Sequence, residues 1–296
     1  MRTFFYFIRG FKIRNLKLAL FLWLFNLIIS SFFFVTINKF FSLNLKDNFQ
    51  NIKKIGIFNV LSDSIANSPV GFKLTIFIGF FLIIIYILFG VFFSAGTLGL
   101  LISKDKVFAE NFFSESIYNF FKILKMFIIN IVNWFVTFFI VSILFIILFK
   151  TKLIEKNEAL FEIILFLIVL ISLLIVFISS LIYDFSRIIK LKTNKNMMLS
   201  FTESVKLIFN NLTDMSILSL TYFFCLLMIY IIYKIFNPLN NIVDFFIFSF
   251  VFYQIFIFLK YYLKTVLFSA EIKYFEAKEL EKAVIESKNG IVEQII

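Results

Sequence analysis

Six long runs without a charged residue constrain this chain more than any other feature of its sequence. A helix of about 20 mostly apolar residues crosses the hydrocarbon core of a bilayer, and five of the runs are about that long or longer. The sixth is shorter, but it becomes long enough if Lys260 and Lys264 extend toward the headgroups and the helix continues to Ala270. The runs are Leu18–Val35, Leu74–Ser103, Met126–Phe149, Ile163–Tyr183, Met215–Tyr233 and Phe245–Leu259. The sequence therefore predicts an all-α polytopic membrane protein with six transmembrane helices, formed by residues 1–270.

The composition excludes a soluble globular domain. Hydrophobic residues make up 61% of the 296 positions and charged residues 16%, against roughly 45–50% and about 25% in soluble domains. Histidine is absent and Cys225 is the only cysteine, which excludes imidazole bases, His-based metal or haem sites and thiolate clusters. We therefore expect a protein that is not an enzyme and that carries no cofactor and no metal.

The basic residues predict both the partner and the orientation. The formal net charge is +11, and its Lys and Arg residues flank the apolar runs, so that anionic lipid headgroups are the expected partner and nucleic acid is not. Six spans place both termini on one side of the membrane, and that side carries 20 of the 29 Lys and Arg residues. By the positive-inside rule, both termini are predicted to lie in the cytoplasm.

Both ends of the chain are predicted to continue the spans. The basic segment before Leu18–Val35 is typical of a signal peptide, but no small-x-small cleavage site follows it, so we expect an uncleaved anchor. At the other end, residues 271–296 alternate acids and bases, as in Glu279, Lys282 and Glu286. This segment is predicted to form a solvated cytoplasmic helical tail that extends from the last span.

A repeat with an offset of 88 residues divides the chain into similar units. Phe113-Ser114-Glu115-Ser116-Ile117 aligns with Phe201-Thr202-Glu203-Ser204-Val205, and around both segments apolar residues recur at the spacing of one helical face. Each segment is predicted to form an amphipathic helix in the cytoplasmic interface before the next span. The chain then divides into three units of interfacial helix plus transmembrane hairpin, at about 1–105, 106–193 and 194–270. The alternative is a chance similarity between two segments rich in Phe, Ser and Ile.

Asp184 and Arg187 form the first candidate site. They stand at the predicted cytoplasmic end of the fourth span, and an i, i+3 separation places both on one helical face, where they can pair. One interpretation is an ion pair that anchors the span among the headgroups. The other is a site for a lipid phosphate or a charged substrate at the membrane surface.

Four amides within the apolar spans are candidate intramembrane polar residues: Asn26, Asn130, Asn133 and Gln254. Such side chains hydrogen-bond between helices, and the alternative is that they line a path for a substrate. The predicted spans carry no carboxylate near their centres. This disfavours an ion-coupled transporter, which usually needs charge within the membrane.

Three features resemble a poorly characterised bacterial family of six-span inner-membrane proteins. They are Asp184-Phe185-Ser186-Arg187-Ile188, the amphipathic segment that ends near Asn210-Asn211, and Gln254 in the last span. That family is similar to the membrane domain that accompanies some glycerophosphodiester phosphodiesterases. The resemblance implies six spans with interfacial helices in a bacterial plasma membrane and no established activity, and no phosphodiesterase domain is expected in this chain.

We therefore expect a multi-pass protein of a bacterial cytoplasmic membrane that interacts with anionic lipids or organises the membrane. The alternative is a transporter or permease subunit for a hydrophobic or amphiphilic solute. A cavity at mid-depth bordered by Asn130, Asn133 or Gln254 would favour this alternative.

Overall fold

The computed structural model describes residues 2–44, 69–150, 158–236 and 246–293. Within these ranges all regular secondary structure is α-helical and forms eight helices. They are α1 (Arg2–Ile8), α2 (Ile13–Asn44), α3 (Pro69–Ser103), α4 (Ala109–Lys150), α5 (Glu158–Thr193), α6 (Met197–Asn210), α7 (Leu212–Phe236) and α8 (Phe246–Glu293). Six of them, all except α1 and α6, are long and apolar enough to cross a membrane. This confirms the predicted all-α fold with six spans. The first residue of the predicted sixth span and the last three of the predicted tail lie outside the described residues.

Short turns connect the spans on one side of the bundle. Both α3 and α5 end one residue before a left-handed residue, Lys104 with φ 62° and Asn194 with φ 52°, a conformation that commonly ends helices. Glu276 on α8 pairs with Lys104 over 3.5 Å and with Lys192 over 2.8 Å, and α1 packs on α8. Both turns, α1 and the last part of α8 therefore lie together. We call this side of the bundle the terminal side.

The buried core lies toward the terminal side. Its apolar side chains come from every helix, and the fully buried ones include Phe7, Leu18, Leu98, Phe112, Phe185, Ile208, Leu218 and Val266. Farther from the terminal side, large apolar residues stay exposed: Phe135, Phe138 and Phe139 on α4 are 66–71% exposed. A soluble monomer rarely exposes an apolar surface of this extent. The exposed halves of the spans are thus the surface suited to lipid tails.

The two segments predicted as separate amphipathic helices differ. Residues 197–210 form the separate helix α6, which packs on α5. In the other segment, 109–122, the prediction of a separate helix is wrong, because these residues are the uninterrupted start of α4. The side chain of Asn211 donates to the Leu207 carbonyl over 2.8 Å where α6 ends, whereas Ile123 holds the equivalent position in α4 and is fully buried. Asparagine competes for backbone hydrogen bonds and so favours helix ends.

The offset of 88 residues recurs in the helix boundaries. The helices α4 and α6 begin at Ala109 and Met197, 88 residues apart. At the N-terminus α1 has only seven residues, half the length of α6. The start of the first helix therefore repeats in the second and third units, and the division into three units stays a prediction.

The last helix continues beyond the predicted span without interruption. No break occurs at residue 270 within α8, and side chains remain buried as far as Phe275. The exposed part of the tail begins near Glu279. The first turn of the predicted tail is therefore part of the core.

Candidate functional site: a buried charge cluster beside a cavity

Asp184 and Arg187 lie on one face of α5 and form an ion pair, as their spacing predicts. They are 3% and 4% exposed, so the pair lies inside the bundle and not among the headgroups. Arg187 also donates to the Ser94 hydroxyl on α3. The guanidinium therefore connects two helices as well as neutralising the carboxylate.

A second cation reaches Asp184 from α8. The Lys264 Nζ lies 2.7 Å from Asp184 Oδ2, so each carboxylate oxygen pairs with a different cation. The prediction that Lys264 extends toward the headgroups is therefore wrong. The Lys264 side chain is 34% exposed. It points to the Asp184 carboxylate because a buried charge without a partner is costly.

Glu271 completes the group, and its carboxylate is the least satisfied member. It is fully buried, and neither oxygen has a hydrogen-bond partner among the described residues. Glu271 lies two helical turns after Lys264 on α8, so both side chains project from the same face. We call Asp184, Arg187, Lys264 and Glu271 the buried charge cluster.

Aromatic rings hold the two cations in place. The Arg187 guanidinium lies 4.0 Å from the Tyr183 ring centroid and 5.2 Å from that of Phe268. The Lys264 Nζ lies 4.5 Å from the Phe268 centroid. Ring faces attract cations at these distances. The charges are therefore fixed by packing as well as by pairing.

The cluster borders a cavity of about 450 Å³ between α2, α3, α4, α5 and α8. Its charged lining is Asp184, Arg187 and Lys264, whereas Glu271 is not among the lining residues. The rest of the lining is mostly apolar and aromatic, with Leu22, Ile29, Phe89, Phe93, Trp134 and Tyr261 among the contributing residues. Ligand sites of about 300–1,000 Å³ commonly combine such an apolar wall with a few placed polar groups. The lining of the cavity therefore has a charged part and an apolar part.

The four predicted amides divide into two pairs. Asn26 and Asn130 line the cavity. Asn133 donates to Ser179 Oγ over 2.6 Å and joins α4 to α5. Gln254 accepts a hydrogen bond of 3.2 Å from Trp23 Nε1 and joins α8 to α2. Two of the candidates thus line the cavity and two join helices, and Asn133 also donates to the lining residue Asn130 over 3.4 Å.

The sequence does not identify Lys264 or Glu271 as a candidate site residue. They are 80 and 87 positions from Asp184, and only the packing of α8 brings them close. The repeat gives only an approximate signal, because its offset of 88 residues aligns Glu271 with Tyr183, the residue before Asp184. Within the described part of the chain, no group of three His, Cys, Asp or Glu side chains is placed to hold a metal ion.

Comparisons with known proteins identify no relative of this chain. No family model, no curated protein and no solved structure matches this chain. The resemblance to a bacterial six-span family stays a prediction. The role of the cluster therefore has to be inferred from the contacts of its own residues.

Proposed function

We propose that this chain is a lipid-interacting protein of a bacterial cytoplasmic membrane, with both termini in the cytoplasm, whose cavity binds an amphiphile with an anionic head group. The observation that carries the proposal is the charge of the cavity wall. Arg187 and Lys264 are cations at neutral pH and Asp184 is an anion, so the three lining charges leave one positive charge in excess.

Lys264 is the group best placed to contact the head group. An ammonium has three donors, and among the described residues the Nζ of Lys264 makes one hydrogen bond, to Asp184. Arg187 also lines the cavity, but it already donates to Asp184 and Ser94, so its contribution is mainly its charge. The apolar lining then accommodates the hydrocarbon part of the ligand.

A second candidate function is a permease for an amphiphilic solute. It is favoured by the amides Asn26 and Asn130, which line the same cavity as the charges and supply hydrogen bonds within the apolar part of the bundle. Reconstituted vesicles distinguish the two functions. A permease moves a labelled anionic amphiphile from one leaflet or compartment to the other, whereas a binding protein holds it without net movement.

The proposal is tested by ligand-dependent thermal stability in detergent. Short-chain phosphatidylglycerol is expected to raise the melting temperature of the wild type more than phosphatidylcholine, because only the former has a net negative charge. In Lys264→Met, the two lipids are expected to raise the melting temperature equally. Lys260→Met is the matched control, since Lys260 is an exposed residue one turn away on the same helix. Equal stabilisation by both lipids, or a difference that persists in Lys264→Met, would contradict the proposal.

A further inference from the structure

The structure contains a buried carboxyl that the proposed function leaves without a role. We infer that the cavity binds a monoanionic head group together with one proton, and that the proton is taken up by Glu271. This inference rests on the proposed function and adds to it the charge of the ligand and a coupled ion.

The cluster has no net charge while Glu271 is ionised and one excess positive charge once Glu271 is protonated. The titratable groups that act on Glu271 are Asp184 and Arg187 from α5, Tyr222 from α7 and Lys264 on its own helix. With Tyr222 neutral and both carboxyls ionised, two anions face two cations. A ligand with one negative charge adds a third anion beside Asp184, Arg187 and Glu271, which are 0–4% exposed, and uncompensated charge is costly at buried positions.

One of the three anions must then be neutralised. Glu271 is the anion whose protonation breaks the fewest hydrogen bonds. Asp184 accepts charge-assisted hydrogen bonds from Arg187 and from Lys264, and a proton on it would weaken both. The head group of the ligand would contact Lys264. Glu271 has no hydrogen-bond partner among the described residues on either oxygen, so protonation there breaks no bond and removes a buried charge.

The consequence is a linkage between ligand and proton. Because the bound state holds more protons than the free state, affinity falls as pH rises, by up to about tenfold per pH unit. The same linkage requires that release of the proton weakens ligand binding. A cavity of this kind takes up its ligand more readily at the more acidic face of a membrane.

The test is calorimetry with dioctanoyl phosphatidylglycerol, whose phosphodiester keeps one negative charge from about pH 5 to about pH 9, the range in which buried carboxyls titrate. Titrations in two buffers of different ionisation enthalpy count the protons taken up per lipid. We expect wild-type uptake to rise toward about one proton as pH increases, with falling affinity. Glu271→Gln is expected to take up none and to bind equally at every pH. Glu279→Gln, an exposed glutamate on the same helix, is the control and should behave as wild type.

The outcomes separate this inference from the proposed function. Binding by the wild type without proton uptake and without pH dependence overturns the inference and leaves the proposed function standing. Proton uptake that persists in Glu271→Gln also overturns it, because the proton then binds elsewhere. Binding of phosphatidylglycerol no better than phosphatidylcholine at any pH overturns both. If Glu271→Gln does not fold, the wild-type proton count alone still decides whether a proton is coupled.

Discussion

Asp184 is the residue on which the site depends most. It accepts hydrogen bonds from cations on two helices and is 3% exposed. Replacing it by asparagine leaves Arg187 and Lys264 close together without the carboxylate to which both are paired. Removing one partner of a buried pair typically costs about 3–5 kcal/mol. We therefore expect Asp184→Asn to lower the melting temperature in detergent more than most single changes in this protein.

The control for this prediction removes one cation with the carboxylate. In Asp184→Asn combined with Lys264→Met, one positive charge remains near Glu271, and part of the lost stability should return. An exchange of Asp184 and Arg187, which the i, i+3 spacing alone suggests as a rescue, should fail. It would place an arginine beside Lys264. A double variant no more stable than Asp184→Asn would show that charge is not the cause of the loss.

The sequence predicts contacts between residues that are close in the chain and misses contacts between residues that are far apart in it. The Asp184–Arg187 pair was predictable because both residues lie on one turn of one helix. Lys264 and Glu271 were not, because the apolar pattern of a span does not define which neighbouring helix each face meets. The same reason explains why Asn26 and Asn130 reach the cavity whereas Asn133 and Gln254 do not.

At the scale of elements, Gly96 determines how closely α3 and α4 pack. A methyl group on Gly96 would overlap the Ser116 hydroxyl and lie 2.8 Å from the Phe112 ring. Both neighbours lie on α4 and are fully buried. Gly96→Ala should therefore separate the two helices and cost about 1–3 kcal/mol, measured as a lower melting temperature.

The same helix provides the matched control. Gly79 also lies on α3, but an added methyl group there meets no other atom within 4 Å. Alanine has the higher helix propensity, by about 1 kcal/mol, so Gly79→Ala should be neutral or stabilising. A loss of stability in Gly79→Ala as large as in Gly96→Ala would mean that close packing is not what Gly96 provides.

The elements themselves were more predictable than their boundaries. Runs of apolar residues identified all six spans because length and hydropathy decide whether a helix crosses a membrane. The separate helix predicted at 109–122 failed because amphipathic spacing says which face is apolar and not where a helix stops. In α6 the stop comes from Asn211, a signal that the equivalent Ile123 lacks.

For the molecule as a whole, the core and the charges are concentrated on the terminal side. Arg187 and Lys264 belong to the buried charge cluster, so they are not among the basic residues that headgroups can reach. The remaining Lys and Arg residues of the terminal side still outnumber those of the other side. The structure thus reduces the charge difference between the two sides without reversing it.

This charge difference predicts the orientation of the protein in the membrane. Because basic residues resist translocation, the terminal side should face the cytoplasm. With Cys225→Ser as background, Lys106→Cys and Glu279→Cys should react with a membrane-impermeant maleimide only after the cells are permeabilised. Lys152→Cys should react in intact cells. The reversed pattern would place the terminal side outside, and labelling of Lys106→Cys and Glu279→Cys from opposite sides would show that an odd number of spans separates them.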